Sequence, residues 1–212
     1  MKKAFLLGTL CSMIMLCSKA QDEEGEKKGF KKENLFIGGS ITVSFFNNQT
    51  VLGANPFFGY KLTDWLDGGI AFNYLYNGAR DYAQYNDKIR QTVFGPGAFV
   101  RLYPVNFFFV QAQFEHNFSN IKYIYPSGFP IDEVSVEANT LLVGGGIAQG
   151  RLKGSTTFYY VSVLFDVLKN INSPYVSVSY NPNDPTQQRV DIVPIFRAGF
   201  NIGLFQGSYS EN

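Results

Sequence analysis

From residue 35 onward the chain alternates. Leu35, Ile37, Ile41, Val43 and Phe45 fall on one parity, and Gly38, Ser40, Thr42 and Ser44 on the other. A period of two marks a strand with unlike faces. The pattern returns in segments of about ten residues, divided by clusters of Asn, Asp, Gly and Pro, which is the weak but repeated signature of barrel strands. A second strand over about 52–62 puts Phe58, Tyr60 and Leu62 together, and Thr63-Asp64-Trp65 follows as a turn. The third, 66–76, sets Ile70, Phe72, Tyr74 and Tyr76 against Ala71 and Asn73. The fourth, 89–103, sets Phe94, Ala98, Val100 and Leu102 against Gly95, Gly97 and Arg101. The fifth, 107–118, sets Phe108, Val110, Ala112 and Phe114 against Gln111, Gln113 and Glu115. The sixth, 134–148, is muddled at Thr140-Leu141-Leu142, where a bulge or a face ambiguity is expected. The seventh, 157–168, sets Val161, Val163, Phe165 and Val167 against Ser162 and Asp166. The eighth, 190–205, sets Phe196, Ala198, Phe200 and Ile202 against Arg197, Gly199 and Asn201. The expected fold is all-β, an eight-stranded antiparallel up-and-down transmembrane β-barrel.

Alternation alone does not say which face is outside, and a soluble ligand-binding barrel would bury its aromatics. Three features favour lipid outside. The start of the chain reads as an export signal. Aromatics stand near strand ends, as an interfacial girdle does, with Trp65, Tyr60, Tyr74 and Tyr76 the candidates. The opposite faces carry Gly, Ser, Asn and Gln, which suits the narrow lumen of a small barrel. Connections also alternate in length. Residues 63–67, 104–106 and 149–156 are short; about 77–88, 119–133 and 169–189 are long; 47–51 is a short exception among the outer loops. Short turns inside and long loops outside put both termini in the periplasm.

The export reading rests on Lys2 and Lys3, an apolar run from Ala4 to Leu16, and Ser18-Lys19-Ala20, with cleavage expected before Gln21. The apolar run is too short to span as a helix, and no later segment is long and apolar enough. The expected organisation is a signal peptide at 1–20, a charged flexible lead-in at 21–33, the barrel at 34–205 and a tail at 206–212. Both cysteines, Cys11 and Cys17, fall in the leader, so the mature chain has no thiol chemistry. The whole chain has 18 basic and 17 acidic residues; the loss of Lys2, Lys3 and Lys19 leaves 15 basic against 17 acidic, a formal net charge of −2. That balance offers no strong field for nucleic acid.

Three stretches carry a resemblance. They are Phe36-Ile37-Gly38-Gly39-Ser40, then Asn55-Pro56-Phe57-Phe58-Gly59-Tyr60 with Leu62-Thr63-Asp64-Trp65, and Phe94-Gly95-Pro96-Gly97-Ala98-Phe99-Val100-Arg101-Leu102-Tyr103. In them the chain resembles the small outer-membrane β-barrel family related to OmpX and the OmpA transmembrane domain, in the form common in Bacteroidetes. The resemblance covers most of the chain after Asn34 and implies a fold and an address rather than an activity. Family barrels usually end on an aromatic, whereas Phe205 is followed by Gln206-Gly207-Ser208-Tyr209-Ser210-Glu211-Asn212. The assembly signal is therefore expected within Phe200 to Phe205.

Chemistry is sparse. The only histidine, His116, is three residues from Ser119, which puts the two on opposite faces of a strand. A lipid A deacylase barrel has His and Ser two apart, and here Asn117 takes the nucleophile's place. The expectation is no enzyme, no cofactor and no metal. Alternatives are a lipid-modifying enzyme resting on His116 and a narrow conduit. Gly38-Gly39 and Gly144-Gly145-Gly146 read as strand bends or close packing, not as phosphate cradles. Loop tyrosines Tyr82, Tyr85, Tyr123, Tyr125, Tyr175 and Tyr180 suit an extracellular partner, or simply pack in the loops. Other expected partners are outer-membrane lipid and lipopolysaccharide, and the barrel-assembly machinery during biogenesis; nucleic acid is not expected, and the barrel is expected to be a monomer. Parity also predicts a lumen charge network of Arg101, Glu115, Glu137, Asp166 and Arg197. In it three carboxylates meet near the outer end, answered by Arg197 and capped from above by Lys122 or Arg189.

Overall fold

The computed structural model describes residues 30–46, 49–80, 85–126, 132–152, 155–181 and 184–206. The segment read as a leader, the lead-in as far as residue 29 and the tail from 207 lie outside these residues. A short 3-10 turn, Lys32–Asn34, leads into β1 (Leu35–Phe46). Then come β2 (Gln49–Thr63), β3 (Leu66–Arg80), β4 (Lys88–Val105), β5 (Phe108–Ile124) and β6 (Asp132–Gln149). They are followed by β7 (Phe158–Asp166), β8 (Val176–Asn181), β9 (Asp184–Ile192) and β10 (Ile195–Gly203). Eight of these close a barrel in the order β1-β10-β7-β6-β5-β4-β3-β2, while β8 and β9 form a separate two-stranded sheet. Each adjacent pair in the barrel is antiparallel, and β1 meets β10 with Ile41 opposite Ala198 and Gly39 opposite Phe200. Closure leaves no free sheet edge in the barrel.

The period of two survives in the structure as two surfaces. Ile41, Phe72, Phe114 and Phe200 stand on the outer wall, each between 45% and 60% exposed, while Phe36, Leu75, Phe109 and Glu115 on the opposite parity are fully buried. Leu35, Val43, Phe94 and Val163 share the outer parity, as expected. The wall is thus apolar and exposed, and the polar side chains of the strands point into the lumen. This inverts a water-soluble barrel. Of the four residues expected as a girdle, Trp65 and Tyr60 stand near the end with the short turns, and Tyr74 and Tyr76 toward the loop end, with Trp65, Tyr74 and Tyr76 each exposed by 40% or more.

Inside, two apolar clusters bracket a polar middle. Near the turn end, Phe36, Phe57, Phe99, Tyr103, Phe109, Phe158 and Tyr160 form a ring of aromatics. Toward the loops, Leu75, Val93, Leu142, Leu164, Tyr175 and Ile195 pack together. Inward glycines make room for the rings: a Cβ on Gly59 would collide with Phe36, and one on Gly146 would press on Phe109.

Several boundaries differ from expectation. β6 carries no bulge at Thr140–Leu142; its register against β5 runs unbroken from Phe108 opposite Ile147 to Tyr123 opposite Asp132. Leu142 simply faces a lumen that is apolar at that height, so both faces of β6 look alike in sequence. The register shifts instead at Lys61/Thr63 and Leu102/Val105, beside the short turns. The expected eighth strand is divided. Residues up to Ile192 belong to β9, and the barrel strand starts at Ile195, after Val193-Pro194, where proline has no N–H to give a ladder. The long stretch expected as loop at 169–189 contains β8 and the start of β9. The strands β3 to β6 also continue past the apolar wall into the regions expected as loops.

Candidate functional site in the barrel lumen

The lumen is filled from end to end by side chains whose strands alternate inward. Near the turn end, β4 delivers Arg101, 1% exposed, into the aromatic ring. Its guanidinium carbon lies 4.6 Å from the Tyr160 centroid, 4.9 Å from Phe109, 5.3 Å from Phe99 and 5.5 Å from Phe57. Cation–π attraction replaces part of the water a buried guanidinium loses. Its Nε donates to Gln111 Oε1 at 2.9 Å and its Nη1 to Asn201 Oδ1 at 3.3 Å. Below it Asp67 is fully buried, and Arg151 lies over the Tyr103 ring at 3.7 Å while donating to the Asp64 carbonyl.

Higher up, every second residue of β5 adds a polar link. Gln111 Nε2 donates to Gln113 Oε1, and Gln113 Nε2 donates to Glu115 Oε1, each at 2.8 Å. Arg197 of β10 meets this column from the other side. Its Nη2 donates to Glu115 Oε1 at 3.0 Å, and its Nη1 to Gln113 Oε1 and Asn55 Oδ1. Asn117 Nδ2 donates to Glu115 Oε2 at 3.1 Å, and Asn73 Nδ2 to Asn117 Oδ1 at 3.0 Å. Glu115 and Arg197 thus form an ion pair at 0% and 2% side-chain exposure, with further donors on the carboxylate. A buried pair persists when its remaining polar atoms are answered in this way.

The loop end is closed by the segment after β7, which turns back over the barrel. Ser173 Oγ donates to Asp166 Oδ2 at 2.6 Å, and Asp166 Oδ1 accepts the N–H groups of Leu168 and Leu141. Two residues on, the Tyr175 hydroxyl donates to Glu115 Oε2 at 2.8 Å and accepts from Arg197 Nη2 at 3.5 Å. Burial first, then the Glu115 carboxylate, hold the Tyr175 phenol well above its ordinary pKa.

Of the five residues expected to form a lumen network, the structure brings Glu115 and Arg197 into contact. Arg101 is linked to them only through Gln111 and Gln113. Asp166 is inward and buried, yet its oxygens are satisfied by backbone N–H groups and Ser173. Glu137 is a correction: its side chain is 67% exposed on the outer parity, 3.9 Å from His116 Nε2. The triple carboxylate cluster therefore does not form. At the height of Glu115 the inward residues of β6 are Ala138, Thr140 and Leu142. Nor do Lys122 and Arg189 cap the lumen; they pair with Glu133 and Asp191 at the surface. Tyr175 is a second correction, since it plugs the barrel rather than standing in an outer loop. Tyr82 and the side chain of Tyr180 lie outside what is described. Asp67, Asn55 and Asn73 were not singled out as network members. The signal that could have found them is parity, since each shares a face with the inward residues of its strand.

His116 lies on the outer wall, its Nδ1 2.7 Å from Asn139 Oδ1 and its ring edge-on to Phe118, while Ser119 is buried inside. The two stand on opposite faces, as the spacing predicts. Among the described residues no group of His, Asp and Glu is placed to hold a metal ion.

No family model and no curated protein matches the chain. Among solved structures it is similar to Ail, the attachment invasion locus protein of Yersinia pestis, solved with the heparin analogue sucrose octasulfate. That likeness has 9% identity and a TM-score of 0.46, over 79% of this chain and 96% of that one. It is also similar to the N-terminal β-barrel domain of Pseudomonas aeruginosa OprF, at 12% identity and a TM-score of 0.40, over 80% of this chain and 98% of that one. At such identity these likenesses assign no role to any side chain.

Proposed function

We propose that the chain is an outer-membrane β-barrel with a structural or surface-interaction role, its loop end outside and both termini on the periplasmic side. One observation carries the reading: a closed wall of exposed apolar side chains surrounds a lumen packed with buried polar ones. Water-soluble monomers rarely expose a contiguous apolar patch above a few hundred Å². In a bilayer the same wall is solvated by lipid, and the closed ladder satisfies the backbone groups that lipid leaves dry. The tyrosines and tryptophan at the two rims suit the two interfaces.

The lumen supports a structural barrel over a conduit, because arginines, amides and rings occupy its whole length. His116 stands on the outer wall while Ser119 points inward, so it has no serine beside it to activate, and catalysis is not part of this reading. The test has three readouts on the refolded full chain. Heat-modifiable gel migration and insertion into phospholipid vesicles are expected, with protease added to the inserted barrel cutting outside the apolar wall only. Aggregation in vesicles with solubility in water alone would sink the reading. His116→Ala is expected to leave the host's lipid A acylation unchanged by mass spectrometry; an altered pattern would favour a deacylase.

A further inference from the structure

The outer wall changes character above its tyrosine rim. Reading across β2, β3 and β4, Leu52, Tyr76 and Thr92 stand in one row, and Thr50, Gly78 and Arg90 in the next. Above these, Arg80 is opposite Lys88. All belong to the outward parity, so three cations converge on one patch of wall. Gly78 lies at its centre. With no side chain there, the wall is dished: a cleft of about 460 Å³ opens between Thr50, Tyr76, Gly78, Arg80, Lys88 and Arg90. A Cβ on Gly78 would meet only the Tyr76 ring at 3.6 Å and its hydroxyl at 3.9 Å, both ordinary contacts. The hollow is therefore open space and not a packing requirement. Of the nearby carboxylates among the described residues, Glu133 at the far end of the Arg90 row is engaged by Lys122 at 3.2 Å, and Asp87, next to Lys88 in the chain, is buried.

We propose that this cleft binds the phosphate of a phosphorylated lipid in the leaflet around the loop end of the barrel. The inference rests on the outer-membrane reading above. Two guanidinium forks and an ammonium supply charge-assisted donors matched to a phosphate monoester, with the hydroxyls of Tyr76 and Thr50 beside them. The height decides the source of the phosphate. The cleft lies one row above an interfacial tyrosine, where a lipid headgroup lies. Below it Leu52, Tyr74 and Tyr76 offer an exposed apolar surface that an acyl chain would cover and a free anion would leave bare. The same cations lower on the wall would be costly, since charge in the hydrocarbon is poorly solvated.

The test uses the refolded full chain in neutral detergent micelles, titrated with diphosphoryl lipid A, with the same lipid dephosphorylated, and with inorganic pyrophosphate. The wild type is expected to prefer the phosphorylated lipid by about tenfold. The double variant Arg80→Ala, Arg90→Ala is expected to erase that preference. Gly78→Leu fills the hollow without changing charge and is expected to weaken the phosphorylated lipid selectively. Equal affinity for the two lipids in the wild type, or a preference that survives the double variant, overturns the proposal. Pyrophosphate binding as tightly as the lipid overturns the lipid as source in favour of a soluble oxyanion. Vesicle insertion of each variant separates the two levels. A barrel that inserts but shows no phosphate preference fails the cleft alone, whereas a chain that does not insert fails the membrane reading and the cleft with it.

Discussion

At the scale of single residues, Glu115 and Arg197 carry the largest stakes. Each is buried with its partner's charge as the main compensation. Removing one member leaves an uncompensated charge, which costs about 3–5 kcal/mol, whereas replacing both by neutral groups is often far milder. Arg197→Ala is therefore expected to lower the urea midpoint of the folded barrel strongly, and Glu115→Gln with Arg197→Met together to cost less than the sum of the single changes. Additive losses would show that the two do not act as a pair. Tyr175 gives a pH-dependent test. Its folded pKa is raised above the ordinary tyrosine value of 10.0, so its share of stability is complete below about that pH and is lost as pH climbs toward the raised value. The wild-type advantage over Tyr175→Phe should shrink by about 1.4 kcal/mol for each pH unit above 10. An advantage that is flat from pH 8 to 11 would mean that the phenol is not held protonated.

At the scale of elements, the inward glycines decide whether strands and rings fit together. Gly59→Ala drives a methyl into the Phe36 ring, in a cluster with Phe57 beside it. A loss of about 1–3 kcal/mol is expected, as for overpacked cores. Gly39→Ala meets nothing nearer than 3.7 Å and should be close to neutral. Denaturation midpoints of the two variants check this; equal effects would deny the packing role of Gly59. The strands themselves were legible because an apolar outer wall and a polar lumen give opposite parities to unlike residues, as in β1 with Ile41 beside Thr42. Glu115 and Arg197 were legible by the same rule. β6 was not, because Leu141, Val143 and Ile147 outside are matched by Val136, Ala138 and Leu142 inside, and contrast is what parity needs. Glu137 was misplaced for that reason. The role of Tyr175 could not be read at all: it is set by a contact 60 positions away, made by a segment with no period.

At the scale of the whole molecule, three layers stand in series along the barrel axis. Tyr175 and the segment before it close the loop end, the Glu115–Arg197 network fills the middle, and Arg101 in its ring of aromatics fills the turn end. An ion crossing would have to displace all three, and an eight-stranded barrel is just wide enough for side chains to fill. Removing one layer leaves the others in place. Tyr175→Ala takes away the loop-end plug but leaves Arg101 within 5.5 Å of four ring centroids. The wild type and Tyr175→Ala are both expected to show no steady conductance above the bare planar bilayer. Combining Tyr175→Ala with Arg101→Ala and Arg197→Ala vacates all three levels, and this is the variant in which ohmic steps are expected, provided that it still inserts. Regular conductance steps in the wild type would show that the packed lumen opens by itself and would favour the conduit over the structural barrel.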